Sequence, residues 1–264
     1  MKRIFKYSTL AITTILLNTN AFAGEAKVHT KHWGYSGDVA PSQWSELDKK
    51  FHTCSEGKQQ SPIDVLTFDD VILPQLDLRY KSGAKSIAKH TETGHTLELN
   101  NGHTVEVELS DGNIFMIDEV DYHLKQFHFH TPSENHVKGI SYPMEAHFVH
   151  ATKEGKLAVI AVMFEEGKEN PTLTKILSGF PLEHNKESEL DFNANDLVAM
   201  MPENKTYYKF MGSLTTPPCT EQVKWFVLKT PLEASKTQIE KMHKEIGMNN
   251  NRPIQATNDR NITK

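Results

Sequence analysis

Two short stretches hold residues that strand packing alone does not call for. One reads Gln126-Phe127-His128-Phe129-His130-Thr131-Pro132-Ser133-Glu134-Asn135, with two histidines two apart and an acid four residues after the second. The other reads Met144-Glu145-Ala146-His147-Phe148-Val149-His150. Side chains on a strand alternate faces with period two. If both stretches are strands, Gln126, His128 and His130 share one face of the first, and Glu145, His147 and Val149 share one face of the second. Side by side, they bring three imidazoles together, with Phe127, Phe129 and Phe148 burying the opposite side. Three neutral imidazoles suit a zinc ion, leaving a fourth position open to water. Such a site lowers the pKa of that water to about 7. Ligating histidines need their second ring nitrogen held by a partner, and Gln126 and Glu145 are groups of the right kind in the right places. His150 falls on the other face from His147, and His136 lies past the strand end. His29, His32, His52, His90, His95, His123, His184 and His243 read as solvated or structural.

His128, His130 and Glu134 also match part of the first cupin motif. That motif needs glycine six before the first histidine, where this chain has Tyr122. Its second half needs Pro-x-Gly-x-x-His, where this chain has Pro143-Met144-Glu145-Ala146-His147. Both halves fail.

The strands that carry these groups belong to a chain written mostly in short alternating runs. His95–Leu99 and Val105–Leu109 flank Asn100-Asn101-Gly102, a hairpin signal. Further strands are expected at Asp121–His130, Met144–Ala151, Lys156–Phe164 and Val223–Lys229. Two helices are expected, one from Asn170-Pro171 to Ser178-Gly179 and one over Glu233–Gly247. The fold class is mixed and mainly β, with short helices on the outside.

Residues 1–23 have a basic start, an apolar run from Leu10 to Leu17 and a small-x-small end at Ala21-Phe22-Ala23. This is the pattern of a secretory signal cleaved near Ala23, too short in its apolar part for a membrane span. Residues 24–264 then read as a single periplasmic or secreted domain. The formal net charge is −5; losing the leader removes three basic residues and no acid, which gives −8. Such a surface argues against nucleic acid and anionic membrane as partners, and no second run is long enough for membrane insertion. In an oxidising compartment Cys54 and Cys219 read as one disulfide, the alternative being two free buried thiols.

The chain resembles the α-class carbonic anhydrases of bacterial, secreted type. The resemblance runs through Trp33-Gly34-Tyr35, Gln60-Ser61-Pro62-Ile63, Asn100-Asn101-Gly102-His103, the two histidine stretches, Gly212-Ser213-Leu214-Thr215-Thr216-Pro217-Pro218-Cys219 and Asn251-Arg252-Pro253. It implies a large twisted, mostly antiparallel sheet with peripheral short helices. It also implies one Zn2+ per chain on His128, His130 and His147, with Gln126 and Glu145 as partners of His128 and His147, and reversible hydration of CO2 to bicarbonate and a proton by zinc hydroxide. Thr215 would accept the hydroxide proton and Glu134 the Thr215 hydroxyl proton. Val149, Val159, Leu214 and Trp225 would form the apolar slot for CO2 beside Thr215 and Thr216. His103 would be the proton shuttle, with Tyr35 and Asn101 ordering water. Ser61-Pro62 and Pro217-Pro218 resemble cis-proline sites. Sulfonamide and anion inhibitors are expected at the zinc, and a homodimer is an expectation to which no residue assigns an interface. The alternative from another class is a catalytically silent relative that acts as a binding protein; such relatives typically lose a zinc histidine. Three residues depart from the family pattern: Asn135 for histidine, Phe210 for tyrosine, and Glu106 for a neutral polar residue. Losing the first two polar partners together would leave no orphan donor.

Overall fold

The structure is a computed structural model that describes residues 32–89, 104–180 and 186–264. Among these, eleven strands form one sheet. Its main path runs through Lys186–Ser188, Ala84–Lys89, Val105–Leu109, Val120–His130, Met144–Ala151, Leu157–Glu166, Glu221–Leu228 and Tyr207–Ser213. The pairings are antiparallel except that Glu221–Leu228 and Leu232–Ala234 both lie parallel to Leu157–Glu166. The expected mixed, mainly β architecture is the one observed. The hairpin strand expected at His95–Leu99, the turn at Asn101 and the loop histidine His103 lie outside the described residues.

The period-two reading explains why this sheet has two different faces. Behind it, Phe127 stacks on Phe148 at 4.9 Å and meets Phe129 edge-on at 5.8 Å. All three are fully buried with Ile160, Val162, Phe164 and Phe226. Each such ring contributes about 1.5–3 kcal/mol through burial. On the other face Val149, Val159, Ala161, Phe210, Leu214 and Trp225 form a second apolar cluster. The histidines share this second face. The sheet is therefore fixed from behind by aromatic packing, while its front carries polar groups against an apolar wall.

Pro171–Ser178 is helical, capped by the Asn170 side chain, as expected. The later helix starts at Lys236 rather than Glu233. Leu232–Ala234 is instead drawn into the sheet beside Phe164–Glu166, and Ser235 caps the helix through a reciprocal bond pair with Gln238. Met242 and Ile246 bury its inner side in the main core. A further helix at Ala194–Ala199 and the strand Tyr207–Ser213 were not expected from the sequence.

A third cluster holds Trp33, Trp44 and Phe51 around a disulfide between Cys54 and Cys219, whose Cα atoms are 5.0 Å apart. The peptide bonds Ser61-Pro62 and Pro217-Pro218 are cis, as is Thr131-Pro132. No helix among the described residues is long and apolar enough to cross a membrane.

Candidate metal centre

In the register of the two histidine strands, His128 faces His147, Gln126 faces Val149, and His130 faces Glu145. Directly opposed residues share a sheet face, so three imidazoles converge. One ligand nitrogen from each of His128, His130 and His147 lies within 4.8 Å of the others, and all three residues are buried. They are the only such group among the described residues.

Each ring has its outer nitrogen engaged. His128 Nδ1 meets Gln126 Oε1 at 2.8 Å, and His147 Nε2 meets Glu145 Oε1 at 2.8 Å. His130 Nδ1 donates to the backbone carbonyl of Asn250 at 2.7 Å. Oxygens of this kind accept, so these nitrogens hold the protons. That leaves lone pairs on His128 Nε2, His130 Nε2 and His147 Nδ1. Burial, with the mutual repulsion of charged rings, drives the pKa of His128 and His147 well below normal. Burial takes His130 down to about 4, against the opposing pull of the Asn250 carbonyl and Glu145. At neutral pH the site therefore presents three uncharged lone-pair donors.

Glu145 is anchored by more than His147. Its Oε2 accepts the backbone N–H groups of Glu134 and Asn135 at 2.7 and 2.8 Å, and its Oε1 accepts the Asn135 side-chain N–H at 2.7 Å. Burial raises its pKa, and these donors lower it. Asn135 also accepts from the Ile63 N–H at 3.2 Å. The expectation for Asn135 thus needs correcting: its polarity is kept and used. Phe210, by contrast, is apolar in an apolar place, stacked on Trp225 with planes 2° apart. Glu106 is buried directly across the sheet from His128.

Glu134 Oε1 accepts the Arg252 backbone N–H at 2.8 Å. Its Oε2 lies 3.5 Å from His130 Nε2 and 3.8 Å from His147 Nδ1. Burial raises the Glu134 pKa well above the usual range, while the Arg252 N–H and the Thr215 hydroxyl work to lower it. Glu134 Oε2, His130 Nε2 and Gln126 Nε2 are buried without a hydrogen-bond partner. A buried carboxylate oxygen facing an imidazole lone pair is unfavourable unless positive charge joins them. The donor set fits a metal ion on these grounds.

Thr215 comes in on the loop after Tyr207–Ser213. Ser213 exchanges bonds with Ser61, its Oγ accepting the Ser61 N–H at 2.8 Å, and the Trp225 indole N–H donates to the Ser213 carbonyl at 3.0 Å. Gly212 makes this close approach possible, because a Cβ there would fall onto Ser61 Oγ and the Trp225 ring. A small cavity of about 20 Å³ is lined by His128, His147, Gln126, Val149, Val159, Leu214, Thr215, Thr216 and Trp225. It gathers every residue expected in the CO2 slot, beside two of the three histidines.

Residues 39–264 match the model of the eukaryotic-type carbonic anhydrases. The chain belongs to the α-class carbonic anhydrase family. It is 40% identical over 248 residues to a carbonic anhydrase of Neisseria gonorrhoeae, covering 93% of each chain. Among solved structures, the α-carbonic anhydrase of Thermovibrio ammonificans in complex with the inhibitor sulfanilamide superposes with a TM-score of 0.81. It shares 41% identity, over 89% of this chain and all of the other. The Photobacterium profundum α-carbonic anhydrase gives 0.78 at 42% identity, over 88% of this chain and all of the other.

The Asn250 carbonyl and the Arg252 backbone N–H were not named from sequence as parts of the centre. Their only signal was the Asn251-Arg252-Pro253 block. Tyr35 is packed edge-on against Trp33 and Trp44, and burial together with Glu134 raises the pKa of its hydroxyl.

Proposed function

We propose that this chain catalyses the reversible hydration of carbon dioxide to bicarbonate and a proton, with one zinc ion held by His128, His130 and His147. The observation that carries the proposal is the buried trio of neutral imidazoles, each with its second nitrogen fixed, beside an apolar cavity. Three uncharged ligands with no thiolate among them suit zinc in a site open at one position. When bound, the ion supplies Lewis acidity, which makes water acidic enough to yield hydroxide at a pH of about 7.

The rest of the chemistry falls to the protein. Gln126, the Asn250 carbonyl and Glu145 hold the rings so that their lone pairs stay aimed inward. The Glu134 carboxylate is the acceptor for the Thr215 Oγ1 proton. Thr215 Oγ1 then accepts, and does not donate, toward the attacking oxygen, fixing its orientation before reaction. A divalent cation nearby would counter the burial that raises the Glu134 pKa and keep that acceptor ionised. Val149, Val159, Leu214 and Trp225 exclude water from the slot where an uncharged, apolar substrate rests, and the Thr215 backbone N–H can donate to product oxygen. His103 is proposed as proton shuttle from the sequence, since an imidazole of pKa near 6.5 exchanges protons readily at neutral pH.

Residues 1–23 are proposed as a secretory leader, placing the mature chain in the periplasm or outside the cell. The Cys54–Cys219 bond is compatible with that. Sulfonamides and small anions are proposed as inhibitors, in line with the sulfanilamide complex of the Thermovibrio relative.

The test is stopped-flow CO2 hydration with zinc counted per chain, wild type beside His147→Ala. Wild type should carry one zinc and be active, and the variant should lose both. Metal-replete wild type without hydration activity would sink the proposal.

A further inference from the structure

Away from the histidines lies a cavity of about 610 Å³, within the range of small-molecule sites. Leu73, Leu76 and Leu78 line it and pack on the main core, which makes its floor apolar. Its walls come from separate parts of the chain that are tied to one another. Tyr207 donates its hydroxyl proton to the Pro74 carbonyl at 2.9 Å. The Lys264 backbone bonds Asp69 and Val71, and the Lys229 N–H reaches the Thr206 carbonyl at 2.9 Å. The cavity is thus preformed by backbone contacts.

Lys229 and Lys264 also line the cavity, and each extends its ammonium over an aromatic ring. Lys229 lies above the Tyr208 ring, 5.1 Å from its centroid, and is in no ion pair among the described residues. Lys264 lies above the Phe68 ring at 4.6 Å and reaches Asp70 at 3.6 Å. Lys205 also lines the cavity. The acids that do so, Asp70 and Glu203, are exposed, and water weakens their compensation. Burial and the charge of Lys264 lower the Lys229 pKa against the opposing pull of Asp70. An overall acidic chain here offers a recess lined by both leucines and lysines.

From this juxtaposition we infer that the cavity binds a small amphipathic carboxylate, its hydrocarbon on Leu73, Leu76 and Leu78 and its carboxylate between Lys229 and Lys264. A purely polar anion would leave the leucine floor wet, and a neutral alkyl compound would leave Lys229 without an anionic partner. The inference does not rest on the metal centre, and either can fail without the other.

The experiment is calorimetric titration of the zinc-loaded protein with octanoate, alongside octanol and acetate, with backbone amide shifts recorded by NMR. Octanoate should saturate with shifts centred on residues 70–78 and 203–207, and acetate and octanol should bind at least tenfold more weakly. Lys229→Gln and Lys264→Gln, both on partly exposed side chains, should each weaken octanoate about tenfold and leave CO2 hydration unchanged. Three results would overturn the inference. One is octanoate binding that neither variant alters, another is shifts confined to the histidine strands, and the third is binding only to phosphatidylglycerol vesicles with no response to free octanoate.

Discussion

The Asn135 side chain donates to Glu145 Oε1 at 2.7 Å, the same oxygen that meets His147 Nε2 at 2.8 Å. One carboxylate oxygen therefore links a residue outside the centre to a ring inside it. Asn135→Leu should lose this bond and also strand the buried Ile63 N–H. The expected cost is about 1–3 kcal/mol in urea denaturation, with zinc lost to a chelator about ten- to a hundredfold more readily. Asn135→His, which restores a polar group at this position, should recover most of the zinc retention. Equal retention in wild type and Asn135→Leu would remove Asn135 from the centre.

Thr215→Val keeps the shape of the side chain and deletes its hydroxyl. kcat/KM for CO2 hydration should fall about a hundredfold as the attacking oxygen loses its fixed orientation, with zinc content still one per chain. Glu134→Gln should behave alike. A variant that retains full rate with full metal would show that orientation comes from elsewhere.

His103→Ala should slow turnover in dilute buffer and recover in concentrated imidazole, because a soluble base can take over proton export. The readout is kcat against buffer concentration at fixed pH. No dependence on buffer in the variant would clear His103 of this role.

His150 lies on the core side of the sheet, its Nε2 2.9 Å from the Tyr80 hydroxyl and its Nδ1 bonded to the Phe148 carbonyl. Burial pushes its pKa down to about 3. Below the ordinary histidine value of about 6.5, the unfolded chain binds a proton that the native state refuses. Stability must then decline as pH falls from about 6.5 toward 3, with this residue contributing a slope of up to about 1.4 kcal/mol per pH unit. His150→Gln, though less stable at pH 7, should show a slope shallower by about one proton. Parallel slopes in a denaturation series from pH 7 to pH 4 would refute this.

Cys54 and Cys219 are 165 residues apart in sequence. Closing so long a loop stabilises by about 5 kcal/mol on the chain-entropy model. The Cys54 carbonyl accepts from Arg252 Nη2, and the Cys219 carbonyl from Gln60 Nε2. Reduction should therefore lower the urea midpoint substantially and reduce the catalytic rate as the Thr215 loop loosens. A midpoint unmoved by reductant would show the bridge to be redundant.

The histidine strands were legible because period-two alternation fixes which residues share a face, and burial leaves that pattern intact. The third ring could be put in phase with the first two for the same reason. Tyr207–Ser213 was not legible: Tyr-Tyr-Lys-Phe-Met-Gly-Ser does not alternate, and it is a strand because Glu221–Leu228 pairs with it. The start of the last helix was misplaced although Ser235 and Gln238 spell a capping box, since Leu232–Ala234 has equal claim to helix until the sheet takes it. The partner of His130 is a backbone carbonyl, which every residue possesses, and so no letter could announce it.

The Asn250 carbonyl holds His130, and the Arg252 backbone N–H holds Glu134, while the Arg252 guanidinium donates to the Cys54, Gln60 and Ser61 oxygens. The centre thus draws its final supports from residues made long after the ligands themselves. Along the chain, His128 and His147 come with their own holders, Gln126 and Glu145, while the holder of His130 comes 120 residues later. A chain cut short of Asn250 would keep all three imidazoles yet lose the carbonyl that fixes His130 and the N–H that fixes Glu134.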